Sequence, residues 1–162
     1  MNTPAKRSQA EKIRRVVTQE LKAIGFVRSK TSFWSRPRGL VIEFVHLHLY
    51  SFMPAFRVHL GIRVLNDSFD AAHLNGPTSE HTDFRCDFDE TSESISSSAA
   101  DILGFIRKVG EPWFKKWSEP RSLVKRRTSP LAEHERIALQ ESLDGRTDPR
   151  RVAESRAILG VA

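Results

Sequence analysis

Histidine is the residue type whose spacing in this chain invites chemistry. His46 and His48 stand two apart in Val45-His46-Leu47-His48-Leu49. On an extended strand that spacing points both imidazoles to one face, about 7 Å apart. Such a pair can supply two metal ligands. His59, on the strand that follows, is the candidate third, since a catalytic zinc usually takes three protein ligands. The outcome turns on register. With Tyr50 opposite Phe56, His48 faces Val58, His46 faces Leu60, and Glu43 pairs with Arg63 across the ladder. With a shift of one residue His48 faces His59. The sequence does not choose between the two, and the plainer alternative is two half-buried strand histidines among apolar neighbours.

Other reactive groups are sparse. Cys86 lies among His81, Asp83 and Asp87. A thiol–imidazole pair can be nucleophilic, but flanking carboxylates raise a thiol pKa and oppose activation. The expectation is a small core residue, and no catalytic residue is assigned. The glycines are scattered and form no dinucleotide, P-loop or nucleophile-elbow spacing, so no cofactor is expected.

Two basic stretches could meet an anionic partner. Arg28, Lys30, Arg36 and Arg38 flank Phe33 and Trp34, and basic residues interleaved with aromatics can bind single-stranded nucleic acid by phosphate contact and base stacking. Lys125-Arg126-Arg127 is the second cluster. Trp113 and Trp117, four apart, share one helix face with room for Phe114 beside them. They either seal the core or, with Arg126 and Arg127, make a partner-binding patch, because tryptophan and arginine are favoured at interfaces.

The elements that must position these groups follow from periodicity. Ile13, Val16, Val17, Leu21 and Ile24 recur at helical intervals behind a Ser8–Glu11 capping-box spacing, so a helix is expected over Gln9 to Ile24. Phe56, Val58, Leu60, Ile62 and Val64 alternate with Arg57, His59, Gly61 and Arg63, the period of a strand with one buried face. With Phe33–Arg36 and Leu40–Tyr50, that strand makes an antiparallel meander. Asp83 to Phe88 is a candidate extra strand. Ile95, Ala99, Ile102, Ile106 and Val109 mark a second helix, and Pro112 can open a short one. Arg121 to Arg127 reads as a basic connector. Ser129-Pro130 and Asp148-Pro149 are start signals for two tail helices with thin apolar stripes.

Helix, then Leu21-Lys22-Ala23-Ile24-Gly25-Phe26, then Phe33-Trp34, then Phe56-Arg57-Val58-His59-Leu60-Gly61-Ile62 resembles the bacterial domain of unknown function 4304 family, over about residues 16–64. That family has a leucine-rich helix ending in Gly-Phe, an aromatic strand, and a Phe-x-Val-x-Leu-Gly strand. The resemblance implies an α+β sheet-and-helix fold and brings no catalytic residues with it.

Composition bounds the rest. The chain has 162 residues, 39% hydrophobic and 28% charged, within the range of one globular domain. One cysteine excludes an internal disulfide and suits a reducing compartment. Met1 to Lys12 lacks the apolar core of a secretory signal, and Leu40 to Tyr50 is too short to span a bilayer. A cytoplasmic protein without membrane contact is expected. The net charge of +6 and pI of about 9.9 favour anionic partners, although Asp67 to Glu93 is acidic.

The combined expectation is an α+β fold: an antiparallel sheet of three to five strands packed by amphipathic helices over residues 1–120, with a basic helical C-terminal extension over 121–162. The expected function is a non-enzymatic protein-interaction module whose partner is another protein or a second copy. A nucleic-acid-binding protein is the alternative, and a metal-dependent enzyme using His46, His48 and His59 comes third. The tail helices need something to pack on, either their own sheet or that of a second copy, and the preference falls on a swapped homodimer.

Overall fold

Alternation decides the centre of the molecule. Phe56, Val58, Leu60, Ile62 and Val64 are all buried and lie on one face of a strand, Phe56–Val64. In the computed structural model, which describes residues 3–162, this strand is β4. It belongs to a four-stranded sheet in the order β1-β2-β3-β4, with β1 Val27–Lys30, β2 Phe33–Arg38 and β3 Val41–Leu49. All neighbours are antiparallel. The helices are α1 (Pro4–Lys22), α2 (Ser92–Phe105), α3 (Glu111–Lys116), α4 (Pro120–Lys125), α5 (Glu133–Leu143) and α6 (Pro149–Leu159). The fold is α+β, as expected.

Both faces of the sheet are used. On the first, Val45, Leu47, Val58 and Leu60 join Ile13, Val17 and Leu21 of α1 and Ile102 of α2 in one buried cluster. On the second, Ile42 and Phe44 pack with Leu65 and with Leu159 of α6. The Phe44 ring lies flat over Gly61, its partner across the ladder. A Cβ at position 61 would stand 2.2 Å from Phe44 Cζ, so only glycine admits the ring.

Several elements differ from the sequence reading, each for a local reason. The first helix begins at Pro4 rather than Gln9, because Thr3 Oγ1 accepts a hydrogen bond from Lys6 N at 3.2 Å and proline suits the first helical position. The polar run from Val27 to Lys30 is a strand, completing the sheet edge. Residues 83–88 are not a strand: the ladder there is a single bridge, Ala55 to Asp87, and Cys86 has φ 55. Between α2 and α3 the chain makes a π-turn, Ile106–Gly110. Pro112 follows it, and the wider turn suits a residue that lacks an N–H. The connector is partly helical, as α4.

The C-terminal helices dock on their own sheet. Leu123, Leu131, Ala138 and Leu139 belong to the same buried cluster as α1 and the sheet. A polar network fixes the attachment. Asn66 donates to Ala138 O at 3.0 Å and accepts from Asp148 N at 2.8 Å. Arg63 Nε donates to Ser155 Oγ at 3.0 Å. The tail thus packs on the sheet of its own chain. Among the described residues no helix is long and apolar enough to cross a membrane.

Candidate nucleic-acid interface

Helix α6 covers the part of the second sheet face that carries Ile42 and Phe44. Strand parity puts Phe33, His46, His48, Arg57 and His59 on the same face, towards the other end of the strands. There Phe33, His46, Arg57 and His59 are half-buried and His48 is exposed. The register is neither of the two derived from sequence. His46 pairs with His59 and His48 with Arg57, one residue away from the Tyr50–Phe56 alignment in the direction opposite to the shift considered. Phe33 of β2 stands across from His46 on the other side. Glu43, freed from Arg63 by this register, meets Arg36 instead.

The rings of this region form a continuous ladder. Phe33 lies 5.8 Å from Phe44 and 4.5 Å from His46, centroid to centroid. His46 is 6.3 Å from His48, His48 is 5.5 Å from Tyr50, and Tyr50 is 5.2 Å from Phe52. Phe52 is 73% exposed, at the end of the ladder beyond β3. Residues 75–79 close the outer edge of β4, with Leu60 N donating to Pro77 O at 3.0 Å and Ser79 N to Val58 O at 2.9 Å. On this face and its extension, His48 and Phe52 are exposed and Tyr50 is half-buried.

Cations flank the ladder. Arg57 is on its β4 side, 3.2 Å from Glu80, which also accepts from the Tyr50 hydroxyl. On the β3 side, Arg7 and Arg14 of α1 join Thr31, Ser32, His46 and His48 around a cleft of about 340 Å³. Four buried side-chain atoms have no hydrogen-bond partner among the described residues: Arg14 Nε, His46 Nδ1, Arg57 Nε and His59 Nδ1. Three of them lie on this face, and Arg14, whose guanidinium is 5.4 Å from the buried Phe56 ring of the other face, lines the cleft beside it. Buried polar atoms are as a rule satisfied, and each exception asks for an explanation.

The imidazoles are held neutral. Burial, reinforced by His48, His59 and Arg57, lowers the His46 pKa from 6.5 to about 4. Burial and then Arg57 lower His48 and His59 as well. Arg57 thus stands beside all three histidines as a fixed positive charge. Among the described residues, the ligating side chains whose donor atoms lie within 4.8 Å of one another are a different set, Asp67, His134 and Glu135.

The other predicted site residues are dispersed. Arg28 is held by Glu11 in a bidentate pair at 2.8 and 3.1 Å. Arg36 is buried, with Glu43 at 2.7 Å, Glu111 at 2.8 Å and the Phe26 ring at 4.1 Å. Lys30 and Arg38 are exposed, and Trp34 is fully buried. So the predicted stacking pair Phe33–Trp34 is split: Trp34 faces the core and Phe33 the open face. Trp117 is 3% exposed, at the wall of a groove of about 860 Å³ that also holds Arg36, Glu111 and Phe114. Trp113 is half-buried, in edge contact with Phe114. Arg126 and Arg127 are exposed. Cys86 is fully buried, and burial followed by Asp101 and Asp87 pushes its thiol up to about 12, which removes it as a nucleophile.

Sequence reasoning missed Tyr50, Phe52, Arg7, Arg14 and Arg57 as members of this surface. The even-numbered parity of His46, His48 and Tyr50 was the available signal. No family model, no curated protein and no solved structure matches this chain.

Proposed function

We propose that this protein binds single-stranded nucleic acid on the open half of its second sheet face. The observation that carries the reading is the coincidence of the ring ladder from Phe33 to Phe52 with the four unpartnered nitrogens of Arg14, His46, Arg57 and His59. Aromatic rings on an accessible sheet stack bases without regard to sequence, and guanidinium groups beside them take phosphates. Arg14 Nε and Arg57 Nε are donors already out of water, so a phosphate oxygen that reaches them adds no further desolvation on their side. A net charge of +6 adds long-range attraction. This is a non-enzymatic role, and it suits a cytoplasmic protein. The reading of the chain as a protein-interaction module retains Arg126 and Arg127 as exposed contacts, while Trp117 is committed to the interior.

Fluorescence anisotropy with labelled single-stranded and duplex oligonucleotides at low salt tests the proposal. Single strands bind more tightly than duplex, and affinity falls as salt rises through counterion release. Absence of binding at about 100 µM protein, the weak end of non-specific affinity, overturns it.

A further inference from the structure

We infer that the first turn of α5 and the loop after β4 form a binding site for a divalent transition cation, with zinc the best fit. The site lies apart from the histidine ladder and is independent of nucleic-acid binding. Asp67 follows β4, and His134 and Glu135 open α5. One donor atom from each lies within 4.8 Å of the others. In a tetrahedral site with bonds near 2.0–2.2 Å, ligand atoms stand about 3.4 Å apart, and an ion entering here would part the 3.0 Å contact of His134 with Asp67 and draw Glu135 toward them.

Each carboxylate is already matched to an imidazole nitrogen. His134 Nδ1 is 3.0 Å from Asp67 Oδ1. His73 Nδ1 contacts Glu135 Oε1 and braces that carboxylate from outside the three-residue set. The far oxygen of Glu135 is held by Asn75 Nδ2 and by Ala132 N, each at 3.2 Å. Ligating carboxylates are commonly braced in this way by outer hydrogen bonds. Arg63, the nearby cation, directs its donors to Ser155 Oγ and the carbonyls of Ala71, Asp67 and Phe69, and stays 3.8 Å from Asp67 Oδ2. Asp67 Oδ1 is thereby left to His134. The Asp67 and Glu135 side chains are 4% and 3% exposed, whereas those of His134 and His73 are 50% and 41% exposed. The carboxylates sit at the floor and the imidazoles at the mouth, which gives an ion a way in.

One imidazole nitrogen with two carboxylate oxygens suits zinc or a neighbouring first-row ion, which take mixed nitrogen and oxygen ligands from three protein residues, rather than magnesium or calcium, which prefer oxygen shells. A bound ion would tie the loop after β4 to α5, so binding must also raise the melting temperature.

The test is isothermal titration of the untagged, metal-stripped full chain with zinc chloride, alongside a melt with and without zinc. The expected result is one zinc per chain, a higher melting temperature with zinc, and no shift with magnesium. His134→Ala and His73→Ala, at half-exposed positions, should retain the fold by circular dichroism. Each should weaken zinc binding by at least the about 10–100-fold typical of outer-shell partners. His46→Ala is the control and should bind zinc as the native chain does. No zinc binding, or binding kept in His134→Ala but lost in His46→Ala, overturns the assignment.

Discussion

His46 and His59 face each other directly across the β3–β4 ladder, and the Nδ1 atom of each is buried without a partner. Both imidazoles are half-buried and neutral near pH 7. They make the open face sensitive to acid.

The His46 pKa lies near 4 in the folded protein against 6.5 when unperturbed, mainly through burial. Between those values the unfolded chain binds the proton and the folded chain does not, so stability falls as pH drops from about 6.5 toward about 4. His48 and His59, also lowered, act in the same direction. Thermal melts across that range should show a steeper decline for the native protein than for His46→Gln. Equal slopes would remove His46 as a source of acid sensitivity.

Phe52 ends the ring ladder and is 73% exposed. Replacing it with alanine should leave the melting temperature unchanged. Affinity for a single-stranded oligonucleotide should weaken by about 1–3 kcal/mol, the contribution of one base–aromatic stack. Unchanged affinity takes Phe52 out of the interface.

Glu43 and Arg36 form a buried pair, their side chains 6% and 8% exposed. Glu43→Gln leaves the guanidinium in the interior with Glu111 as its remaining carboxylate. Loss of one partner of a buried pair costs about 3–5 kcal/mol, and Glu111 should keep the value at the low end. Urea denaturation reads it. A change under about 0.5 kcal/mol, the scale of ordinary surface substitutions, would show that the pair is not part of the stabilising interior.

Ending the chain at Ser122 removes Leu123, Leu131, Ala138, Leu139 and Leu159, all buried. The truncated protein should lose its cooperative melt and associate through exposed apolar surface. A monomer by light scattering with the native melting temperature would show that residues after 122 are dispensable to the fold.

The parts of the fold that were legible in sequence are those with local periodicity. The strand Phe56–Val64 and the stripe of α1 announce themselves because one face of each is apolar. The start of α1 was legible too, in Thr3-Pro4, but Ser8 and Glu11 offered a competing cap. Val27-Arg28-Ser29-Lys30 carries no alternation of its own and becomes a strand only by pairing with β2. The open face was hidden for a different reason. Parity grouped His46 with His48, but placing His59 needed the register, and one residue of slip moves every partner. The cluster of Asp67, His73, His134 and Glu135 had no sequence signal, since Asp67 and His134 are 67 positions apart and meet only because α5 folds back beside the loop after β4.

Mapping where a single strand touches the protein tests the central proposal most directly. Titrating a short single-stranded oligonucleotide into ¹⁵N-labelled protein and following amide and imidazole resonances locates the contact. Shifts are predicted to concentrate at Phe33, His46, His48, Tyr50, Phe52 and Arg57, with those of α5 and α6 unmoved. Shifts centred instead on Lys125, Arg126 and Arg127, or absent from the sheet face altogether, would contradict it.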